Sequence, residues 1–365
     1  MKVCFFCSGF NTNGGIGRVT SILADELSDN EDFSIYLCSF YETKTNKYYA
    51  FNKEIEKYDL FKTPISMTKA MIFNDAIGKL SRYLRQNKID VLVSCGALYF
   101  PLCVIAAKRT GIRVFCWEHI APTVNHDYMF QKQARLYGAR HCDCNIVLTK
   151  AALKWYEGKV RNKHFEQIYN PVDPAFSNIS TNEYCYQSRK IISVGRLSYQ
   201  KNFDRLLDIA NQVLSQHSEW TWDIYGDGEE RNNLNKKIID LGLQESVFLK
   251  GQVENLYELY KDYAFFVMTS RYEGFPMVLL EAASCGLPMV SFDIETGPNE
   301  IIENGSNGYL INPLSDSDMI DAISSLIENS ELRTSMSNNS RKTAEKFSIE
   351  QILGRWISLF HQYGV

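Results

Sequence analysis

The chain has 365 residues, of which 45% are hydrophobic and 22% are charged, and its formal net charge is −4 at pH 7. This length predicts two domains, and the composition excludes a disordered or fibrous protein. No apolar run approaches the roughly 20 residues that a membrane-spanning helix needs. The first ten residues lead directly into a glycine loop, which favours a first strand over a signal peptide.

Charge and cysteine usage narrow the class of protein further. Residues 1–170 carry 23 Lys and Arg against 16 Asp and Glu, whereas residues 171–365 carry 16 against 27. This contrast is typical of two domains with different partners. Most of the ten cysteines fall inside apolar segments, which favours buried free thiols over disulfides. The run His-Cys-Asp-Cys at 141–144 lacks a second pair at zinc-site spacing, so we predict no metal site.

Short segments rich in β-branched and aromatic residues alternate with helical patterns along the chain. They predict strands at 2–8, 33–39, 90–95, 113–118, 144–149 and 165–169, and then at 190–195, 220–225, 247–250, 264–269, 288–292 and 308–311. The alternation predicts two Rossmann-like, doubly wound parallel α/β domains at 1–170 and 171–345. For the final helix, at 346–365, packing on the N-terminal domain is the alternative to packing on its own domain.

Ligands of such sheets bind at the carboxyl ends of the strands. In the first half, Gly14 and Gly15 follow the first strand and allow a backbone to approach a phosphate closely, although a tight structural turn explains them equally well. His119 follows the strand at 113–118 and is expected at the ligand edge. A satisfied structural histidine is the alternative.

The second half carries further candidates for a phosphate site. Gly195, Arg196 and Lys201 follow its first strand, and two cations at this place suit a diphosphate, with solvated surface cations as the alternative. The glycines at 226 and 228 are interpreted as a turn more than a ligand loop. A backbone that can edge a nucleobase is expected where the next strand ends, at Gly251, Gln252 and Val253.

Two carboxylates, Glu273 and Glu281, bracket a Gly-Phe-Pro turn and the start of an apolar helix. Pro276 at the helix start and Gly286 after its end are typical helix signals. Anionic groups favour the N-terminal end of a helix, so a ligand with phosphates is expected there. Glu281, alone among apolar residues, requires a polar partner.

Two other patterns have structural explanations. Asp316 and Asp318 resemble an Asp-x-Asp metal signature, but helix N-capping accounts for them better. The span 66–88 is a basic amphipathic helix that could rest on an anionic membrane, and a core-packed helix with a solvated face is the alternative.

Four motifs, taken in chain order, resemble the retaining glycosyltransferases of family 4. They are the glycines at 14–15, Gly195-Arg196 with Lys201-Asn202, the run 225–228, and the two glutamates with seven residues between them. The resemblance spans nearly the whole chain. It implies the GT-B fold, two Rossmann-like domains facing a cleft, with a nucleotide-diphosphate sugar held mostly by the C-terminal domain and the acceptor by the N-terminal domain. It implies no nucleic-acid partner and no metal or other cofactor.

The resemblance also implies residue roles. It assigns Arg196 and Lys201 to the donor diphosphate, Glu281 to the ribose and His119 to the sugar. Glu273 is expected to hold sugar hydroxyls, because no second carboxylate stands out as a nucleophile. The remaining donor-binding positions that it implies are Gly14, Gly15, Gly195, Gly251, Gln252, Val253, Gly274, Phe275, Pro276, Met277 and Val278.

The implied activity is metal-independent transfer of a hexose or N-acetylhexosamine, with UDP favoured as the nucleotide. The acceptor is expected to be a glycan, lipid-linked, in the assembly of a bacterial capsule, O-antigen or related polysaccharide. The expected location is the cytoplasm, on the inner face of the membrane. The alternatives are a nucleotide-sugar epimerase or glycogen-type synthase of the same architecture, and a non-catalytic partner subunit.

Overall fold

The computed structural model describes residues 1–10, 15–41, 55–67, 70–123, 129–161, 163–177, 184–253 and 256–363. The chain divides into two compact units. One consists of Met1–Pro171 with Glu350–Val365, and the other of Val172–Ile349. We call them the N-terminal and the C-terminal unit.

Within the described residues, the N-terminal unit has a seven-stranded parallel sheet in the order β3-β2-β1-β4-β5-β6-β7. Its buried central strand β1 pairs Phe5 with Leu37 on one side and with Val93 on the other. The elements are β1 (Lys2–Cys7), α1 (Gly15–Ser28), β2 (Ser34–Tyr41), β3 (Glu56–Phe61), α2 (Ala70–Gln86), β4 (Val91–Cys95), α3 (Phe100–Thr110), β5 (Arg113–Glu118), α4 (Met129–His141), β6 (Cys144–Val147), α5 (Lys150–Glu157) and β7 (Phe165–Gln167).

The described part of the C-terminal unit has a six-stranded parallel sheet in the order β10-β9-β8-β11-β12-β13. Its elements are α6 (Pro174–Ser177), β8 (Lys190–Val194), α7 (Phe203–Gln216), β9 (Thr221–Tyr225), α8 (Arg231–Asp240), β10 (Val247–Gly251), α9 (Leu256–Tyr260), β11 (Phe265–Met268), α10 (Met277–Ser284), β12 (Met289–Phe292), α11 (Pro298–Ile301), β13 (Gly308–Ile311), α12 (Asp316–Glu328) and α13 (Ser330–Glu345).

The last helix, α14 (Ile349–Gln362), contributes its apolar residues to the core of the N-terminal unit. Trp356 is fully buried and meets the ring of Trp117 edge-on, with 4.8 Å between ring centroids. Phe360 stacks on Phe115 at 5.9 Å, and the hydroxyl of Tyr363 lies 2.6 Å from Nδ1 of His164. Burial of large aromatic side chains therefore fixes this helix on the first sheet.

Helix caps follow from local sequence. Thr149 caps α5, Ser315 caps α12 and Asn329 caps α13, each accepting a hydrogen bond from a backbone N–H three residues on. The prediction that Asp316 and Asp318 belong to a helix N-cap is therefore corrected in one respect, the residue that makes the cap. Both aspartates lie in the first turn of α12, where the helix dipole favours negative charge, but Ser315 makes the cap.

The prediction of two doubly wound parallel α/β domains is confirmed. Each predicted strand has a counterpart, whereas β3 was not predicted. Its sequence, Glu-Lys-Tyr-Asp-Leu-Phe, is mostly charged or polar and half exposed. Charged residues are common on edge strands because they discourage pairing with another chain, and the same charges hide such a strand from a hydrophobic pattern.

The amphipathic span at 66–88 contains α2, and its apolar face belongs to the core. Ile77, Leu80 and Leu84 are buried, and Lys79 pairs with Asp75 at 2.9 Å. Met71, near the start of the helix, is 79% exposed. The core-packed interpretation therefore describes most of the apolar residues of this helix.

Candidate functional site

The candidate site lies where the strand order of the C-terminal sheet reverses direction. From β8 the chain moves outward to β9 and β10 on one side, and from β11 it moves outward to β12 and β13 on the other. The loops that leave two such neighbouring strands diverge, and ligands of doubly wound sheets bind in the crevice between them. Here those loops run from 195 to 202 after β8 and from 269 to 276 after β11.

An ion pair joins these two loops. Nζ of Lys201 lies 2.6 Å from Oε1 of Glu273, and the side chains are only 15% and 8% exposed. Gln200 donates to Oε2 of Glu273 at 3.2 Å and to the carbonyl of Tyr272 at 3.0 Å. Both carboxylate oxygens thus have partners from the β8 loop, as a buried charge requires.

The start of α10 is packed into the same place. Thr296 donates a hydrogen bond to the carbonyl of Glu273, and Phe275 packs against Phe347 with 5.6 Å between ring centroids. Gly297 has φ +102°, and a Cβ on it would come within 2.5 Å of Cδ of Pro276. Pro276 stands at the N-cap, and its side chain offers no acceptor to the first N–H groups of the helix. Anions are stabilised at such a helix end.

The glycines after β9 allow their loop to pack closely against the loop after β8. A side chain on Gly226, whose φ is +130°, would overlap the carbonyl oxygen of Gly195, and one on Gly228 would overlap the backbone of Leu197. The stem of Lys201 lies along Gly195, since a Cβ there would come within 3.1 Å of three of its carbons. These close contacts agree with the interpretation of residues 226–228 as a structural turn. Small residues let the loop after β9 support the loop that carries Lys201.

The other expected donor-binding residues differ in environment. Arg196 is 73% exposed and pairs with Glu229 at 3.1 Å, so it does not join the Lys201–Glu273 pair. Glu281, one turn inside α10, is 2% exposed and accepts a hydrogen bond from Tyr260 at 3.3 Å. Tyr260 thus supplies a polar partner of the kind that Glu281 was expected to need.

The expected nucleobase edge and glycine loop are described in part. Gly251 ends β10 with φ +77°, and its carbonyl accepts from the N–H of Gly226 at 2.8 Å, which places Gln252 and Val253 beside the same supporting loop. Gln252 is exposed. Gly15 is the first residue of α1, whereas Gly14 lies outside the described residues.

His119 follows β5 in the N-terminal unit and is 8% exposed. Its ring lies 4.2 Å from that of Trp117, and its Nε2 has no hydrogen-bond partner among the described residues. Burial lowers the pKa of His119 to about 3, because the charged imidazolium loses its hydration. Burial therefore favours the neutral imidazole at physiological pH.

Several residues of these sites carried no sequence signal that singled them out. Gln200 and Thr296 hold Glu273, and Arg135 on α4 forms a 2.6 Å ion pair with Glu118, the residue before His119. A carboxylate at the end of a buried strand is itself a signal, because a buried charge needs a partner. The identity of that partner depends on the tertiary fold.

Two features are absent from the part of the chain that is described. None of its helices combines the length and the apolarity that a bilayer crossing demands. Its His, Cys, Asp and Glu side chains form no group of three placed to hold a metal ion, and Cys142 and Cys144 are buried as free thiols.

Comparison with known proteins defines the class. Residues 186–343 match the family model for glycosyl transferases group 1, and residues 13–176 match the model for glycosyltransferase family 4. Together the two matches cover every described strand of both sheets except β1. The protein is a glycosyltransferase of the GT-B fold. The chain thus contains a glycosyltransferase family 4 domain followed by a group 1 glycosyl transferase domain.

Relatives and solved structures match the chain over its full length. The amylovoran biosynthesis glycosyltransferase AmsD of Erwinia amylovora is 29% identical, with 97% of this chain and 98% of AmsD aligned. A structure of Staphylococcus aureus TarM in complex with Fondaparinux, alpha-GlcNAc-glycerol and UDP has a TM-score of 0.83 at 18% identity, covering 98% of this chain and 99% of TarM. Anabaena HepE in complex with UDP-glucose has a TM-score of 0.83 at 19% identity, covering 99% and 100%.

The low pKa of His119 has a measurable consequence for stability. The unfolded chain protonates its histidine near pH 6.5 and the folded chain near pH 3, so this residue favours folding above pH 6.5 and loses that contribution as the pH falls. Between pH 7.5 and pH 5, we expect wild type to lose about 2 kcal/mol more free energy of unfolding than a His119→Leu variant. Urea unfolding at the two pH values measures this difference, and equal losses would contradict the neutral, buried state of His119.

Proposed function

We propose that this protein transfers a hexose or N-acetylhexosamine from a UDP sugar to a glycan acceptor, with retention of anomeric configuration and without a metal. The ion pair between Lys201 and Glu273 carries this proposal. It consists of a cation and a carboxylate 2.6 Å apart beside the N-terminus of α10, a position that favours a diphosphate. The bound UDP and UDP-glucose in TarM and HepE support the choice of nucleotide.

Donor binding would redistribute this ion pair. Without ligand, Lys201 is neutralised by Glu273. A diphosphate at the start of α10 gives Lys201 a second anionic partner, and Glu273 then accepts hydrogen bonds from hydroxyl groups of the sugar. Arg196 adds a second cation. Its exposed pair with Glu229 is worth at most about 1 kcal/mol and is easily exchanged for the diphosphate.

The chemical step follows from charge. Cleavage of the bond between the anomeric carbon and the phosphate oxygen leaves negative charge on the diphosphate and positive charge on the sugar. Lys201, Arg196 and the N–H groups at the start of α10, including those of Met277 and Val278, stabilise the leaving group as that charge develops. The acceptor hydroxyl attacks from the same face, and its proton passes to the departing phosphate oxygen. Glu273 orients the sugar and does not attack carbon.

We further propose that Glu281 binds the ribose and that the backbone from Gly251 to Val253 borders the nucleobase. His119, as a neutral imidazole, would form a hydrogen bond with the sugar. The unpartnered Nε2 of His119 supports the last assignment. The proposed setting is bacterial surface polysaccharide assembly on the cytoplasmic side, because AmsD acts in amylovoran biosynthesis. The N-terminal unit would bind the acceptor.

The proposed membrane contact rests on charge. Since Ile77, Leu80 and Leu84 are buried in the core, the surface that α2 can offer to a lipid headgroup consists of exposed residues, among them the cations Arg82 and Arg85. We expect cosedimentation with vesicles containing anionic phospholipid, reduced severalfold in Arg82→Gln/Arg85→Gln and abolished by 0.5 M salt. Vesicles of zwitterionic lipid are the control. Equal recovery with both vesicle types would refute membrane association through these charges.

Donor specificity and the roles of the ion pair are tested together. Thermal shift with UDP, GDP, ADP and TDP sugars should give the largest rise in melting temperature with a UDP sugar.

Glu273→Gln should keep UDP affinity within about threefold and lower kcat by about 100-fold, because it perturbs hydrogen bonds that strengthen in the transition state. Lys201→Met should weaken both UDP binding and turnover. NMR of the product formed by wild type reports the anomeric configuration.

Glu303→Gln is the matched control, because its pair with Lys346 is exposed and belongs to another part of the same unit. It should bind and turn over donor as wild type does. Wild-type turnover in both Lys201→Met and Glu273→Gln would overturn the site. Donor binding without transfer to any glycan acceptor would instead favour the non-catalytic partner subunit.

A further inference from the structure

A buried ion pair lies next to His119 in the N-terminal unit. Glu118, the last residue of β5, and Arg135 of α4 are 3% and 4% exposed, with 2.6 Å between Oε2 and Nε. The hydroxyl of Tyr156 on α5 donates to the same Oε2 at 2.9 Å. Three elements therefore converge on the residue that precedes His119.

The same pair holds the backbone on the far side of His119. Oε1 of Glu118 accepts from the N–H of Ile120 at 3.1 Å, and Nη1 of Arg135 donates to the carbonyl of Pro122 at 3.3 Å. His119 is thus enclosed between residue 118, anchored by its side chain, and residues 120 and 122, anchored by their backbone. The position of its imidazole depends on both anchors.

Burial and neighbouring groups act on both partners of Glu118. Burial disfavours the charged form of Arg135, but the charges and hydrogen bonds of Glu118 and Tyr156 together outweigh this effect and raise the pKa of Arg135. Burial, and then the charge of Glu118, raise the pKa of Tyr156, so its hydroxyl remains a donor. A charged pair of this kind often stabilises a fold no better than apolar residues of the same volume. Its hydrogen bonds to the 120–122 backbone, by contrast, have no apolar substitute.

We propose that Glu118 and Arg135 are positioning residues, which fix the imidazole of His119 for sugar transfer through the loop at 119–122. The inference rests on the proposed function, since it assigns these residues to the same reaction. The proposal assigns neither residue a contact with donor or acceptor. Their effect on turnover is exerted through His119.

The test replaces both charges at once. Glu118→Leu/Arg135→Met removes the ion pair and the links to the loop without leaving an unpaired buried charge, so the variant is expected to keep the fold. We expect kcat to fall about 10- to 100-fold, because small displacements of a positioned group have effects of this size. The affinity for UDP, which is proposed to bind the C-terminal unit, should be unchanged. Should this variant not fold, Tyr156→Phe removes one hydrogen bond to Glu118 and should lower kcat about fivefold.

Two controls separate positioning from general stability. Asn145→Ala breaks buried hydrogen bonds to the carbonyls of Ala139 and His164, away from the 119–122 loop, and should leave kcat at the wild-type value. In a His119→Ala background, the Glu118→Leu/Arg135→Met change should lower kcat no further, since the group it positions is gone. An equal loss of kcat in both backgrounds, or wild-type turnover in the folded double variant, would overturn the proposal.

A spectroscopic measurement is independent of the proposed activity. In protein labelled with 13C at histidine Cε1, the His119 signal should shift or broaden in Glu118→Leu/Arg135→Met and stay in place in Asn145→Ala. An unchanged His119 signal in the double variant would overturn the positioning role even if no donor sugar is ever identified. A changed signal without any transferase activity would place the failure with the proposed function instead.

Discussion

The contact between Lys201 and Glu273 is the interaction on which the candidate site depends. The two residues are 72 positions apart in the chain. Their ion pair links the two loops that diverge where the strand order of the C-terminal sheet reverses. Gln200 and Thr296 complete the partners of Glu273, so that its side chain and its carbonyl are both held. A cation and an anion at one helix start suit a ligand that combines a diphosphate with a hydroxylated sugar. Each charge is thereby kept in place before the ligand arrives, which lowers the cost of ordering the site on binding.

The surrounding loops are built around this pair by close backbone packing. Gly226 and Gly228 bring the loop after β9 onto the backbone at Gly195 and Leu197, and Gly297 does the same for the start of α10. In the N-terminal unit, a buried ion pair at the end of β5 holds the loop that carries His119. In both units, strands supply the position, and buried polar contacts between neighbouring elements supply the precision that a reactive group needs.

Much of this architecture could be predicted from the sequence, because short apolar strands alternate with helices and glycines mark the loops at their carboxyl ends. The edge strand β3 escaped prediction because its alternating residues are charged. Individual site residues such as Lys201 and Glu273 could be named from their motifs, but their pairing could not, since it depends on how β8 and β11 lie side by side. Arg196 and Lys201 look equivalent in sequence, yet their side chains are 73% and 15% exposed. The partners Gln200, Thr296 and Arg135 belong to no local pattern and follow only from the fold.

The most direct test of this account is a double-mutant cycle on the ligand-free protein, with Lys201→Met, Glu273→Gln and the combined variant measured by urea unfolding. An ion pair of low exposure that links two loops should show a coupling free energy of about 1.5–3 kcal/mol. The parallel cycle on Arg196 and Glu229, which form an exposed pair, should give less than about 1 kcal/mol. Additivity of Lys201→Met and Glu273→Gln within about 0.5 kcal/mol would show that the two loops are held by other contacts and would contradict the account.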